Sequence, residues 1–293
     1  MSNSHLVTPI PASRSTASFA SVRAAAYTWW TILRICLSER LVYRGDFALG
    51  TLMRFLPIVT QIFLWAAIFT ANDQALIAGK YSYPDMVAYY LLTMVTRAFS
   101  SMPGLAGGIA REIRGGEIKK YLIQPIDLLG FLLLNRVAHK LVYYAVAIGP
   151  FALVFFLCRG YFRGWPDAPT LAAYVVSLFL SFLLGFFLEA TLGMIGFWFL
   201  EVSSLLFVYM LFSFFCSGHM FPIDMLPGVW QTLVQMLPLH YLAYFSSAVF
   251  LGKIQGAELA WGLTVQLGWV VFFIIASRVC YHRGVRRYSA FGG

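Results

Sequence analysis

The chain has 293 residues, 60% of them hydrophobic and 11% charged, and a formal net charge of +9. Soluble domains carry roughly 45–50% apolar and 25% charged residues, so much of the apolar surface has to face lipid and a soluble fold is excluded. The basic excess sits beside the apolar runs and forms no domain of its own, which excludes a nucleic-acid-binding module and assigns the charge to anionic lipid at the inner face. A spanning helix needs about 20 apolar residues, and the alternating short strands of a membrane barrel are absent. The expected fold class is all-α integral membrane, with six spans.

In chain order, residues 1–22 are rich in Ser, Thr, Ala and Pro and lack the apolar core of a signal peptide. They predict a flexible cytoplasmic tail, followed by a single membrane domain over 23–293. Residues 24–44 predict an amphipathic interface helix: Ala26, Trp30, Leu33, Leu37 and Leu41 share one face, and Thr31, Arg34 and Ser38 the other. The other reading of this stretch is a cytoplasmic extension of the first span. Spans are expected at about 48–71, 84–102, 128–157, 170–195, 202–217 and 258–280. The long apolar run from Thr170 to Cys216 holds only Glu189 and Glu201 as charges, which fits two helices joined by a turn near Gly196–Ser203.

After that run, Pro222, Pro227 and Pro238 each remove a backbone donor and break any continuous helix. Met225, Leu226, Val229, Trp230, Leu233 and Val234 are nevertheless too apolar for a solvated loop. The segment 218–239 is therefore expected to form a shallow hairpin of two short helices in the outer leaflet. Topology follows from the basic residues. Arg14, Arg23, Arg34, Arg40 and Arg44 at the start, Arg111, Arg114, Lys119 and Lys120 in the loop 103–127, and Arg283, Arg286 and Arg287 at the end outnumber Lys80, Arg159, Arg163 and Lys253. The excess places both termini and the 103–127 loop in the cytoplasm.

That loop has a pattern of its own. Ile109 and Ile113 lie four apart, Arg111, Glu112 and Arg114 surround them, and Gly115 and Gly116 end the turn because glycine accepts a left-handed cap. Glu117 opens a second short helix, where a negative charge suits the dipole. Ile118, Tyr121 and Leu122 line one side of it, and Pro125 stops it. The plain reading is an ordinary positive-inside connector. The paired glycines and the apolar stripe favour an ordered element that docks on a cytoplasmic partner.

An arginine at mid-membrane costs about 2.5–3.5 kcal/mol on the insertion scale, so Arg97, inside the second span, either snorkels to the inner end or faces a wet cavity. Arg54, Arg136, His139 and Lys140 fit anchoring at the inner face. Glu189 pairs with Arg97 or Arg136, or meets a substrate cation or a proton. His219, Asp224 and His240 lack the spacing of a metal site. The cysteines Cys36, Cys158, Cys216 and Cys280 show no CxxC pattern, and no catalytic Ser-His-Asp set or carboxylate pair can be argued.

The chain resembles the permease subunit of a bacterial ABC exporter of the second type, in the six-span branch that uses separate ATPase subunits. The likeness rests on Ile113, Gly116, Glu117, Ile118, Tyr121, Leu122, Pro125 and Ile126 in the loop, on Gly196-Phe197-Trp198 with Glu201 after it, and on the run Ser217-Gly218-His219-Met220-Phe221-Pro222 followed by Leu226-Pro227 and Leu237-Pro238-Leu239. It implies that Glu117–Ile123 is a coupling helix seated in an ABC ATPase subunit, with Arg111, Glu112 and Arg114 beside it. It further implies that Glu201 is a partner-contact or turn-capping acid, that Gly218, Phe221, Pro222, Pro227 and Pro238 shape an outer gate, and that a second permease, identical or paralogous, completes the path. The location implied is the inner membrane. No phosphate-binding loop is present, so ATP and magnesium would sit on the partner and this chain binds no cofactor and is no enzyme. The substrate class spans lipids, glycolipids, drug-like amphiphiles and polysaccharides. An ion-gradient-driven transporter and a lipid-modifying membrane enzyme are the competing classes.

Overall fold

The computed structural model describes residues 26–39, 44–72, 76, 80–124, 126–162, 164–199 and 201–288. Among them there is no β-strand. The helices are α1 (26–39), α2 (Arg44–Asn72), α3 (Tyr83–Ser100), α4 (Leu105–Arg114), α5 (Lys119–Leu122), α6 (Leu128–Leu157), α7 (Ala168–Met194), α8 (Ser203–Cys216), α9 (Gly228–Met236), α10 (Tyr244–Phe250) and α11 (Gly256–Arg287). Among the described residues α6, the stretch Ala168–Phe197 and α11 are long and apolar enough to cross a membrane by length and composition. The chain is an all-α membrane protein.

Small residues set the packing. A β-carbon at Gly185 would meet the Ser100 carbonyl, one at Gly193 the Ala106 backbone, and one at Gly196 the Cα of Ala110. Numbers on both sides rise together, so α3 and then α4 run alongside α7 in the same direction. The α11 helix follows: Gln266 bonds the Ser177 carbonyl and the Ser181 hydroxyl, both at 3.1 Å, and Gly284 leaves room for the Phe197 ring. The α6 helix runs the other way, with Lys140 against Ala98 and Ser101 and Cys158 against Val87 and Leu91.

Lys140 has a structural task that its sequence position did not reveal. Its buried ammonium donates to the carbonyl oxygens of Ala98 and Ser101, the latter at 2.7 Å. These are groups a helix leaves open at its C-terminal end, where a cation also suits the dipole. The chain then breaks at Ser101–Gly104, with Gly104 at φ +71 before α4.

The segment after Gly218 is a run of short helical pieces that continues beyond residue 239. The 3₁₀ turn Ile223–Met225, α9 and the 3₁₀ turn Pro238–Leu242 lead into a further buried helix, α10. The Ser100 hydroxyl donates to the Leu242 carbonyl at 2.7 Å, and Ser181 to the Tyr241 carbonyl at 2.7 Å. Gly185, which faces Ser100, lies roughly 25 Å along α7 from Ala168 at 1.5 Å per residue, so the segment reaches deep into the bundle. Backbone at that depth needs partners from protein; the Ser246 hydroxyl of α10 meets those of Ser177 and Ser181 on α7, and Gln266 of α11 bonds the same two α7 residues.

The α1 helix also differs in detail. Its protein-facing side runs through Trp29, Ile32, Leu33 and Cys36, while Trp30 is 63% exposed. Gly130 makes room for the Trp29 ring, which turns the stripe from the Trp30 side. The expected ends of this helix at 24–25 and 40–43 lie outside the described residues, and Arg44 belongs to α2.

Candidate functional site

Three groups of the expected site residues can be located. The first is the loop between α3 and α6. Its long amphipathic helix α4 buries Leu105, Ile109 and Ile113 on the chain's own α7, because Gly193 and Gly196 let the backbones approach. Gly115 caps α4 and Gly116 turns at φ +77. The second helix is shorter than expected. Only Lys119–Leu122 is helical, Ile118 is fully buried, and Glu117 precedes the helix. The apolar stripe is thus largely consumed inside the chain: Tyr121 lies 5.5 Å from the Phe131 ring and its hydroxyl donates to Glu112 at 3.4 Å.

What remains outward on the loop is the tip. Leu122 is exposed and Ile123 is 84% exposed, beside the exposed Arg111, Arg114, Glu117, Lys119 and Lys120. Ion pairs stiffen it. Lys120 lies 3.4 Å from Glu112 and 3.6 Å from Glu117, and Arg114 lies 2.9 Å from Glu201, whose other oxygen accepts the Ser203 amide at 2.9 Å. The Ser203 hydroxyl and amide hold the Glu201 carboxyl below its ordinary range, with Arg114 adding to the effect. Burial pushes the Tyr121 phenol up, and Glu112 adds to it. Glu201 is therefore both a cap of α8 and a tie to the loop.

The second group lies where α3 breaks. Arg97 stands in the last turn of α3 and lines two cavities. One, about 580 Å³, also includes Glu189, Ser100, Leu206, Tyr209 and Phe214; the other, about 520 Å³, includes Gln61, Tyr90, Met94 and His219. Glu189 faces the amides of Met102 and Ala106 at the start of α4 and feels the charges of Arg136 and Lys140. Arg136 itself donates to the Pro103 carbonyl at 3.0 Å. Glu189 forms no ion pair within 4 Å among the described residues. The wall of this region is α8, a mainly apolar helix that also carries Tyr209 and Ser213 and has no buried residue in the chain.

The third group is the deep segment. Gly218 turns at φ +77 with Tyr244 and Tyr89 packed against its Cα, which leaves no space for a β-carbon. The Tyr89 and Tyr90 hydroxyls donate to the carbonyls of Gly218 and Met220. Pro222 and Pro227 stand at the N-caps of the 3₁₀ turn and of α9, and Pro238 starts the next turn; Phe221 is half-buried. Asp224 accepts from Tyr244 at 2.6 Å and Tyr81 at 3.1 Å, with Lys80 at 3.7 Å. Lys253 meets Asp85 at 3.1 Å and the Lys80 carbonyl at 2.7 Å. Burial drives the Tyr81 phenol far up, and the Asp224 carboxylate adds to it, so this clasp is a hydrogen-bonded one at neutral pH.

Residues 55–292 match the family model described as ABC-2 family transporter protein. The chain belongs to the ABC-2 transporter family. It is accordingly a membrane subunit of a transporter rather than an enzyme. No curated protein matches the chain closely enough to count as a relative. In this ABC-2 protein the loop, the α3 break and the deep segment are linked through α7, whose glycines and serines touch all three.

Sequence reasoning missed the Asp224 clasp, the Lys140 cap and the whole of α10. The first could have been sought from an acid flanked by prolines in an apolar segment. The serines of α7 were visible, and Ser177, Ser181, Gly185 and Gly193 share one helical stripe at a spacing of four or eight, but nothing local says which element packs on it. Asp127 was also passed over, although an aspartate immediately before an apolar run is an N-cap signal. It accepts the Gly130 amide at 2.7 Å and is gripped by the Arg278 guanidinium.

Proposed function

We propose that this chain is the membrane subunit of an ATP-driven exporter, with ATP and magnesium bound on a separate ABC ATPase subunit. The observation that carries the reading is the tip of the α4–α5 loop. It presents the exposed Leu122 and Ile123 within a ring of charges on a base that is rigidly packed on α7. A push on that tip reaches the α3 break through α4, because Gly193 and Gly196 leave no slack between α4 and α7. The base of the loop is ordered by its own chain, so the partner's groove needs to accept only the tip.

The basic residues of the loop and of the α11 end support a cytoplasmic side here, and a bacterial inner membrane is the location this reading expects. The bare α8 and the cavities at Arg97 suit a path completed by a second permease, identical or paralogous, since an apolar helix beside a charged cavity separates hydrocarbon from a polar route. Arg97 and Glu189 would face the polar part of an amphiphilic or lipid-like substrate. The deep segment from Gly218 to Gly252 would then close the outer side of that path.

The test is purification of the chain with its ATPase from the native membrane, followed by transport in vesicles. ATP-dependent export that stops on removal of magnesium supports the reading. Transport driven by a proton or sodium gradient without ATP would replace it with an ion-coupled mechanism centred on Arg97 and Glu189.

A further inference from the structure

A groove of about 770 Å³ shares no lining residue with the Glu189 cavity. It lies between α3 and α6 and is closed at one side by α10 and the start of α7. The stacked rings of Phe99 and Tyr144, with centroids 4.6 Å apart, form its floor. Val95, Ile148 and Phe155 line the walls, and Arg159 and Trp165 stand at the mouth. Its size falls within the range of about 300–1,000 Å³ typical of small-ligand sites.

Among the described residues Arg159 is the one charged residue that lines it. The guanidinium rests over the Phe156 ring at 4.7 Å, and among the described residues no carboxylate pairs with it. Trp165 is 85% exposed beside it, where an indole suits the headgroup level. From Arg159 to Tyr144 the groove follows α6 for roughly 22 Å at 1.5 Å per residue. One leaflet offers about 15 Å of hydrocarbon, half the core thickness, so a single acyl chain reaches most of the way down. An apolar groove that opens sideways into a bilayer is filled by hydrocarbon. A cation at its mouth that no described carboxylate pairs decides which headgroup the filling chain carries.

We propose that this groove holds one acyl chain of an anionic phospholipid, with the phosphate of its headgroup bound by Arg159. A zwitterionic lipid fits the groove equally well, but its own ammonium competes for the same phosphate, so the guanidinium favours a net anionic headgroup. The lipid is a resident of the leaflet at the Arg159 end, and the site is independent of the direction and the cargo of transport.

The test uses the full-length protein in its purified assembly, stripped of lipid in detergent and offered equal amounts of phosphatidylglycerol and phosphatidylcholine. Bound lipid is read by native mass spectrometry. The wild type is expected to retain phosphatidylglycerol several-fold over phosphatidylcholine, Arg159→Gln to bring the two to parity with total lipid preserved, and Ala152→Phe to lower retention of both. Arg283→Gln, at the opposite end of the molecule, should leave the preference intact. A preference that survives Arg159→Gln, that falls as far in Arg283→Gln, or that is absent from the wild type overturns the assignment. Arg159 is exposed at the rim, so its variant carries the test even where Ala152→Phe lowers expression.

Discussion

Ser100 and Gly185 stand so close that a β-carbon on the glycine would lie 2.0 Å from the serine's carbonyl oxygen. The contact fixes the last turn of α3 on the middle of α7, and the Ser100 hydroxyl at the same point holds the bottom of the deep segment through Leu242. One glycine therefore sets the relation of three elements around the Glu189 cavity.

Gly185→Ala is expected to destabilise the protein by more than the 1–3 kcal/mol or so typical of overpacking, because the obstacle is backbone. Gly149→Ala and Gly268→Ala, which meet nothing within 4 Å, are expected to be neutral or to gain up to about 1 kcal/mol from helix propensity. Thermal unfolding in one detergent, read beside monodisperse yield, separates them. A Gly185→Ala protein with wild-type stability would show that α3 and α7 are not locked as described.

Lys140→Met should cost stability although it removes a charge from an apolar helix. The ammonium closes the carbonyls of Ala98 and Ser101, and a buried acceptor left unpaired costs about 1–3 kcal/mol. If lipid exposure of the lysine dominated, the methionine variant would be the more stable one. The sign of the shift in unfolding temperature decides between them.

The α6 start gives a pH dependence. Burial raises the Asp127 carboxyl, but the Arg278 guanidinium and the Gly130 amide outweigh it and hold the carboxyl below its ordinary range. A depressed carboxylate contributes stability that is fully present above its unfolded pKa, near 3.9, and lost as pH falls through the lower folded value. Both side chains are a third or more exposed, so solvent screening limits the pair to about 1 kcal/mol. Asp127→Asn keeps an acceptor for the cap but loses the pair. It should lower stability slightly at pH 7, and the gap to wild type should close in the acid range below about pH 4. A gap of constant size down to acid unfolding would show that the ion pair with Arg278 is not its source.

The fold class was legible because hydropathy and helix length decide it: the apolar run Leu128–Leu157 and the helix α6 coincide. The bend at Gly116 was legible for the same local reason, a left-handed backbone turn that glycine makes cheaply. What escaped was everything set by contacts distant in sequence. The face of α4 carrying Ile109 and Ile113 reads as an unpartnered stripe until Gly193 and Gly196 bring α7 against it. Ile118 reads as a docking residue until the same bundle buries it. The depth of α10 depends on serines of α7 that a glutamine of α11 also bonds, and no local pattern links Ser181 to Gln266.

That difference changes which residue should be mutated to test docking. Tyr121 packs on Phe131 and bonds Glu112 inside the chain, so Tyr121→Ala loosens the loop before it affects any partner. Ile123 is 84% exposed and has no such task. Fully burying an isoleucine contributes about 1.5–3 kcal/mol, which corresponds to roughly ten- to hundredfold in affinity. Ile123→Asp is therefore expected to weaken retention of the ATPase subunit by at least roughly tenfold, with the unfolding temperature of the isolated chain unchanged. Glu117→Lys, equally outside the packed base, should act in the same direction and more weakly at high salt, where exposed charges are screened. Co-purification at two ionic strengths, read beside ATP-dependent transport, measures both variants. An ATPase that stays bound to Ile123→Asp with transport intact would move the docking surface away from this tip and leave the loop as a packed connector.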